Sequence, residues 1–304
     1  MATLLQLVQQ ATGEMGLSVP TTVMGNTSAD VIQLQYLTNA VGYELLREHP
    51  WQALNTEYRF FSQFTSSDGV ATNNSAVITG VDPAAVTFIN SLGATNFQVQ
   101  GQGVMQDTYI ASATGTTVTM SRTATGDGTG TYTFGQTKYP LPTGFDRITN
   151  RTQYDKSKRW EMLGPESPQQ WQFLKSSYIS TGPRIRWRIM GGEFQIWPLT
   201  NTNEYLGFEY ISNAWVTSAS GTPQTSFLAD TDTCIFPDRL MVLAIKKKYF
   251  EIKGFDSSSF QRDYDMELSI SKANDQGAAT LSFAPQAANV LIGWENIPDA
   301  NYGA

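Results

Sequence analysis

A chain with one histidine and one cysteine offers few starting points for catalysis. His49 stands between Glu48 and Pro50 at the close of an apolar-periodic stretch, where the helix dipole favours an imidazolium, and this helix-end role outweighs that of a general base. Cys234 is followed by Ile235 and Phe236 and reads as a small buried hydrophobe rather than a reactive thiol. A single histidine excludes an HExxH zinc site, and a lone cysteine can form neither an intrachain disulfide nor a Cys-based metal site. No GxxxxGK[ST] loop occurs; Gly101-Gln102-Gly103 and Gly126-Asp127-Gly128-Thr129-Gly130 precede strand-like sequence and read as turns. Paired carboxylates remain, because two acids a few ångströms apart can split a glycosidic bond. Glu161 with Glu166 and Asp263 with Asp265 are the candidates, yet among 27 acids spacing selects neither pair. The expectation is no catalytic residue, no metal and no cofactor.

Two basic features point to contacts rather than reactions. Arg184, Arg186 and Arg188 alternate with Ile185, Trp187 and Ile189, which sets three guanidinium groups on one face of a strand. That face is either solvated and neutralised by acids such as Glu193, or an interface for carboxylate-bearing neighbours, for which Arg is suited. Lys246, Lys247 and Lys248 spread around most of a helix, so they cannot form one narrow stripe for DNA; a solvated face with one ring-helix contact is expected. The net charge of -7 argues against gripping nucleic acid through its phosphates.

The elements that would carry these residues follow from periodicity. Residues 2–15 predict a short helix through Leu4, Leu7, Val8 and Ala11, frayed by Gly13 and Gly16. A longer helix starts near Thr27-Ser28, with those hydroxyls as caps, and ends by His49 because Pro50 follows. Tyr58-Arg59-Phe60-Phe61 anchors a first strand. Between 65 and 135 charge nearly vanishes and Thr, Ser, Gly and Asn dominate; the runs 76–79, 96–100, 109–112, 117–120 and 130–134 predict a small antiparallel sandwich or barrel, with a turn at Asp127-Gly128. Ser167-Pro168 opens a short helix, and strands over 184–190, 193–198 and 205–211 include a hairpin at Gly191-Gly192. Pro237-Asp238 opens a helix running to Gly254, and Asp256-Ser257-Ser258 caps another ending near Gly277. The stretch 278–304 has no period but keeps Leu281, Phe283, Leu291, Ile292 and Trp294, which predicts an arm that docks elsewhere. The opening Met-Ala-Thr-Leu-Leu-Gln lacks a basic n-region, and no stretch approaches the ~20 apolar residues of a membrane span, so neither secretion by signal peptide nor membrane insertion is expected.

This order of parts resembles the head-to-tail adaptor family of short-tailed bacteriophages, also called tail tubular protein A or gatekeeper. The likeness rests on Tyr139-Pro140-Leu141-Pro142 with Phe145-Asp146-Arg147-Ile148, on Leu163-Gly164-Pro165 with Ser167-Pro168-Gln169-Gln170-Trp171, and on Pro183 with the basic strand. It continues through Phe194-Gln195-Ile196-Trp197-Pro198 and Phe208-Glu209-Tyr210-Ile211-Ser212, and covers most of the chain outside 65–135. The resemblance implies a dodecameric ring beneath the portal protein, prolonging a channel through which double-stranded DNA passes without sequence-specific binding. It implies a nozzle protein below, a fibre contact through the inserted module, and residence in the virion at the head–tail interface after assembly in the host cytoplasm. The expected fold is α+β: a helical ring-forming domain, a β-rich tip domain, an inserted β-sandwich or barrel module and an extended C-terminal arm. The segments are 1–64, 65–135, 136–235, 236–277 and 278–304, with Leu281, Phe283, Leu291, Ile292 and Trp294 as the portal-binding arm. A glycan- or receptor-binding tail component is the alternative, motivated by the β-module and the many Trp and Tyr residues.

Overall fold

A computed structural model describes residues 1–176 and 184–276. Two helices, α1 (Leu4–Met15) and α2 (Ala29–Glu48), lead into strand β1 (Asn55–Phe61). Then come β2 (Phe64–Ala71), β3 (Val77–Thr79), α3 (Pro83–Ser91), β4 (Phe97–Gln100), β5 (Ile110–Thr114), β6 (Thr117–Met120) and β7 (Gly128–Gln136). The chain continues through β8 (Lys138–Pro140), β9 (Phe145–Ile148), β10 (Tyr154–Asp155), β11 (Trp160–Glu161) and α4 (Pro168–Ser176). Strands β12 (Arg186–Met190), β13 (Glu193–Trp197) and β14 (Tyr205–Ser212) precede α5 (Asp238–Lys253) and α6 (Ser258–Gln276). Helices and antiparallel sheets are thus mixed, and the buried apolar residues fall into three separate cores. Among the described residues no helix is long and apolar enough to cross a membrane.

The first core belongs to helices from both ends of the chain. Helix α5 packs against α1, α2 and α6, and its residues from Leu240 to Lys246 are buried without interruption. A helix apolar on every side is stable only when surrounded, so α5 is the axis of this body. Helix α1 is closed by a capping box, in which Thr3 Oγ1 accepts from the Gln6 amide and Gln6 Oε1 from the Thr3 amide, and Gly16 ends it at φ 71°. The expected hydroxyl cap on α2 is not formed: Ser28 sits at the cap position, but its side chain makes no capping bond and its amide donates to Asn26 Oδ1 at 2.9 Å. Trp215 seals the core from the β side, stacked on Phe236 at 5.7 Å and edge-on to Phe227 at 5.2 Å.

The second core fills the β-rich body. One sheet has the order β1-β14-β10-β11 with β9 also on β14, and a smaller one the order β12-β13-β8. Phe60, Phe194, Phe208 and Trp187 interlock between them, with Phe194 stacked on Phe208 at 4.9 Å and on Trp187 at 5.4 Å. The Gly191-Gly192 hairpin forms as expected, both glycines at positive φ.

The third core lies wholly within 71–134. Its sheet runs β4-β7-β2-β3-β6-β5, and an isolated bridge from Gln98 to Tyr109 joins the two outer strands, so the sheet closes into a barrel rather than a sandwich. Two features depart from expectation. Helix α3 occupies 83–91, with Asp82 accepting from the Ala84 amide at 2.8 Å and Pro83 in the first turn. Of the predicted turn at Asp127-Gly128, Gly128 is already the first residue of β7 and Asp127 lies just ahead of it; a glycine there can lie against Gln102, since a Cβ on Gly128 would come within 2.2 Å of the Gln102 carbonyl oxygen.

The barrel is docked, not tethered. Ser62 Oγ donates to the Thr202 carbonyl at 2.9 Å and accepts from the Glu204 amide at 2.8 Å, fixing the entry strand. At the exit, Tyr139 Oη donates to the Gln136 carbonyl at 2.8 Å and accepts from the Gln63 amide at 3.2 Å. Burial raises the Tyr139 hydroxyl well above its ordinary pKa, so it stays a donor throughout the accessible pH range. Away from both connections, Lys175 of α4 reaches Tyr109 Oη at 2.6 Å and Asp107 at 3.3 Å.

Within α2, a Cβ on Gly42 would lie 2.1 Å from the Trp215 ring, whereas one on Gly13 in α1 meets nothing nearer than 4.0 Å. Glycine to alanine in a helix interior ordinarily stabilises by about 1 kcal/mol. Gly13→Ala is expected to follow that rule, while Gly42→Ala reverses it and destabilises by about 2–3 kcal/mol as Trp215 is displaced; denaturant unfolding of both variants checks the sign.

Candidate interaction surfaces

The three lysines singled out in the sequence turn to three different helices. Lys246, only 8% exposed, pairs with Glu14 of α1 at 2.7 Å and lies over the Phe260 ring of α6 at 4.9 Å. Lys247 sits over Tyr264 of α6 at 4.4 Å, and Lys248 pairs with Glu44 of α2. Consecutive residues on a helix point about 100° apart, and α5 is surrounded, so the triplet braces its neighbours. This corrects the expectation of a largely solvated face. The ammonium of Lys246, helped by the Gln10 amide, holds the Glu14 carboxyl below its ordinary pKa. Tyr264 is pushed up to about 12, first by burial and then by Glu48 and Glu44.

The arginine face is partly as expected. Arg186 and Arg188 project from β12 half-buried while Ile185 and Trp187 enter the core, and Arg184 is exposed just ahead of the strand. Arg186 is neutralised by Glu166 at 2.5 Å, not by Glu193, which is paired along the backbone with Met190 across the hairpin. The outer edge of β12 is covered by the segment at 163–166, through Leu163 N–H to the Ile185 carbonyl and Trp187 N–H to the Leu163 carbonyl, both 2.9 Å. Arg184 and Arg188 are the cations of this face with no ion pair among the described residues.

The acid pairs do not converge. Glu161 faces Arg151 at 3.7 Å, and Glu166 is occupied by Arg186. Asp263 and Asp265 both lie on α6 two residues apart, a spacing that turns side chains to different sides of a helix. Among the described residues no group of three or more His, Cys, Asp or Glu could hold a metal ion. His49 ends α2, with Nε2 3.3 Å from Asp275 Oδ2 and its ring edge-on to Trp51 at 5.0 Å. It borders a cleft of about 370 Å³ between α2 and the β9–β14 edge, where Arg47, Arg147 and Asp146 also stand. The arm residues Leu281, Phe283, Leu291, Ile292 and Trp294, with all of 278–304, lie outside the described residues.

One set of surface residues escaped the sequence reading. Opposite the stripe of Leu34, Leu37, Val41 and Leu45, helix α2 exposes Ile32, Tyr36 and Tyr43, and α6 exposes Met266 and Ile270. The signal was present as a second helical period on the polar side of each helix. The joint of Lys175, Tyr109 and Asp107 had no local signal at all.

The chain matches no protein-family model, and no curated protein is found similar to it.

Charge reversal separates bracing from solvation. Lys246→Glu sets a carboxylate beside Glu14 in a buried position and is expected to cost about 3 kcal/mol, whereas Lys248→Glu, facing the exposed Glu44, costs below about 1 kcal/mol; equal small effects in denaturant melts would refute the bracing role. Burial pushes the Cys234 thiol up to about 12. A raised thiol pKa means the folded state holds the proton, so Cys234 should resist a thiol reagent at pH 8.5 and react once the chain is unfolded.

Proposed function

We propose that this chain is a structural ring subunit at the head–tail junction of a short-tailed phage, placed beneath the portal and above the nozzle, and that it is not an enzyme. The observation that carries the reading is the division of the chain: helices from both ends make one body around α5, and the β-rich middle is a separate body with the barrel docked on it. The family likeness implies that same division into ring and tip. The motif residues behind the likeness have packing and turn roles here, such as Trp187 against Phe194 and Gly164, where a Cβ would come within 2.5 Å of the Trp187 carbonyl oxygen. In this reading 278–304 is the arm that reaches the portal, and the inserted barrel faces outward toward a fibre or a neighbouring subunit. An acidic ring lets DNA pass because its wall does not hold phosphates.

A second reading, a glycan-binding tail component, is favoured by a crevice of about 220 Å³ between barrel and β-body, where Gln98, Gln100 and Asp107 stand near Trp197. Carboxamides and a carboxylate beside an indole are groups that can orient a sugar. Retention of the whole chain on a glycan array would favour it, and no retention would remove it.

Light scattering after size-exclusion chromatography of the chain mixed with DNA-filled, portal-bearing, tailless heads is expected to show many copies bound per head. Persistent free chain would reject the adaptor reading. The chain shortened by 278–304 is expected to fold with an unchanged melting temperature and to lose attachment, and unchanged attachment would reject the arm.

A further inference from the structure

Rows of partly exposed apolar residues stand on the outer sides of two helices; of these, Tyr43 also lies edge-on to Trp215 at 6.0 Å and borders the cleft beside His49. On α2, Ile32, Tyr36 and Tyr43 lie within about 40° of one another at about 100° per residue, and they are 37%, 69% and 43% exposed. On α6, Met266 and Ile270 are 61% and 48% exposed, on the side turned away from Tyr264 and Leu268, which face the core. Single exposed hydrophobes are common, whereas rows at helical spacing opposite a buried face mark a surface that something covers.

Charge selects the occupant. Arg47 ends the α2 row one turn beyond Tyr43 and has no ion pair or hydrogen bond among the described residues. Asp263 begins the α6 row one turn before Met266, its side chain 50% exposed and held only by its neighbour Arg262 at 3.7 Å. Laid antiparallel, the two rows set Arg47 against Asp263 and Tyr43 against Met266. The same alignment puts Ile270 over Ala40 and Tyr36 over Ala273, along about 16 Å of helix rise. Bulky side chains then meet small or flexible ones, and the one charge at the end of each row meets its opposite.

We propose that the outer row of α2 docks antiparallel on the outer row of α6 of a second copy of this chain. The two faces differ, so the contact is head-to-tail, and repeated with rotation it closes a ring. It rests on the ring reading above and specifies which surfaces meet.

The test mixes Tyr43→Cys chains with Met266→Cys chains, Cys234 being buried, and oxidises them as the multi-copy species that forms in solution or on portal-bearing heads. A disulfide joining positions 43 and 266 of different chains is expected to dominate over 43–43 and 266–266 products. Arg47→Asp is expected to weaken assembly roughly tenfold, and Asp263→Arg added to it to restore assembly. Many copies assembled without a 43–266 product would overturn this contact and leave the proposed function standing, as would a dominant 43–43 product. Faster labelling of the cysteine at 43 on removing 277–304, with no inter-chain product, would give the row to the chain's own tail and also overturn it. Failure to assemble in either setting would instead sink the proposed function, and the contact with it.

Discussion

The seat of Trp215 on Gly42 holds the two bodies of this protein together. Strand β14 belongs to the β-rich body, and a few residues later its continuation inserts Trp215 among Phe227, Phe236 and the bare backbone of α2. Burying an indole contributes on the order of 3 kcal/mol. Its Nε1 finds no hydrogen-bond partner among the described groups, a loss of about 1–3 kcal/mol that the stacking must outweigh. Shape, not polarity, therefore retains it. Because β14 pairs with β1 along its length, the angle at which Trp215 enters also sets how that sheet leaves the helices, and Ile211 packs back onto the helical core from the same strand.

The barrel depends on this arrangement at one remove. Its two connections come from β1 and β8, and both are fixed by backbone partners on the 202–204 turn or by the Tyr139 hydroxyl. Two connecting strands alone would leave a hinge. The third contact, Lys175 to Tyr109 and Asp107, lies off that axis, and Lys138 sits over the same Tyr109 ring at 4.6 Å. A hinge with an off-axis tie is a fixed arm, so a force on the barrel is transmitted to the β-body instead of being absorbed by a linker.

Much of this was legible in local sequence. Helices α1, α5 and α6 announce themselves by period and by Gly16, Gly254 and Asp256 at their ends, and the runs of the barrel lie between glycines at positive φ such as Gly80, Gly93 and Gly115. Helix α3 was hidden because Val86, Thr87 and Ile89 are β-branched and no charge marks an outer face; Asp82-Pro83 was the available cue. Contacts that define the surfaces were not legible, since Lys246 and Glu14 lie 232 positions apart and Lys175 and Tyr109 lie 66 apart. Spacing can say that three adjacent lysines fan out around a helix. Only the packing around α5 says that each meets a different neighbour.

That fate of the lysines bears on what the surface can hold. Every lysine of the chain is engaged: 156, 158, 175, 246, 248, 253 and 272 pair with acids, while 138 and 247 sit over tyrosine rings. Several of these pairs are exposed and individually weak, so a phosphate could compete for any one of them. Binding a polyanion, however, needs several free cations along one line, and the affinity rises with the number of phosphates neutralised together. Here each ammonium is already engaged by an acid or a ring outside its own element, three of them by acids of α2, and the chain retains an excess of acids, with 27 against 20 bases. The lysines thus serve cohesion between helices and sheets, and the excess of acids leaves a net negative charge that does not favour binding along a phosphate backbone.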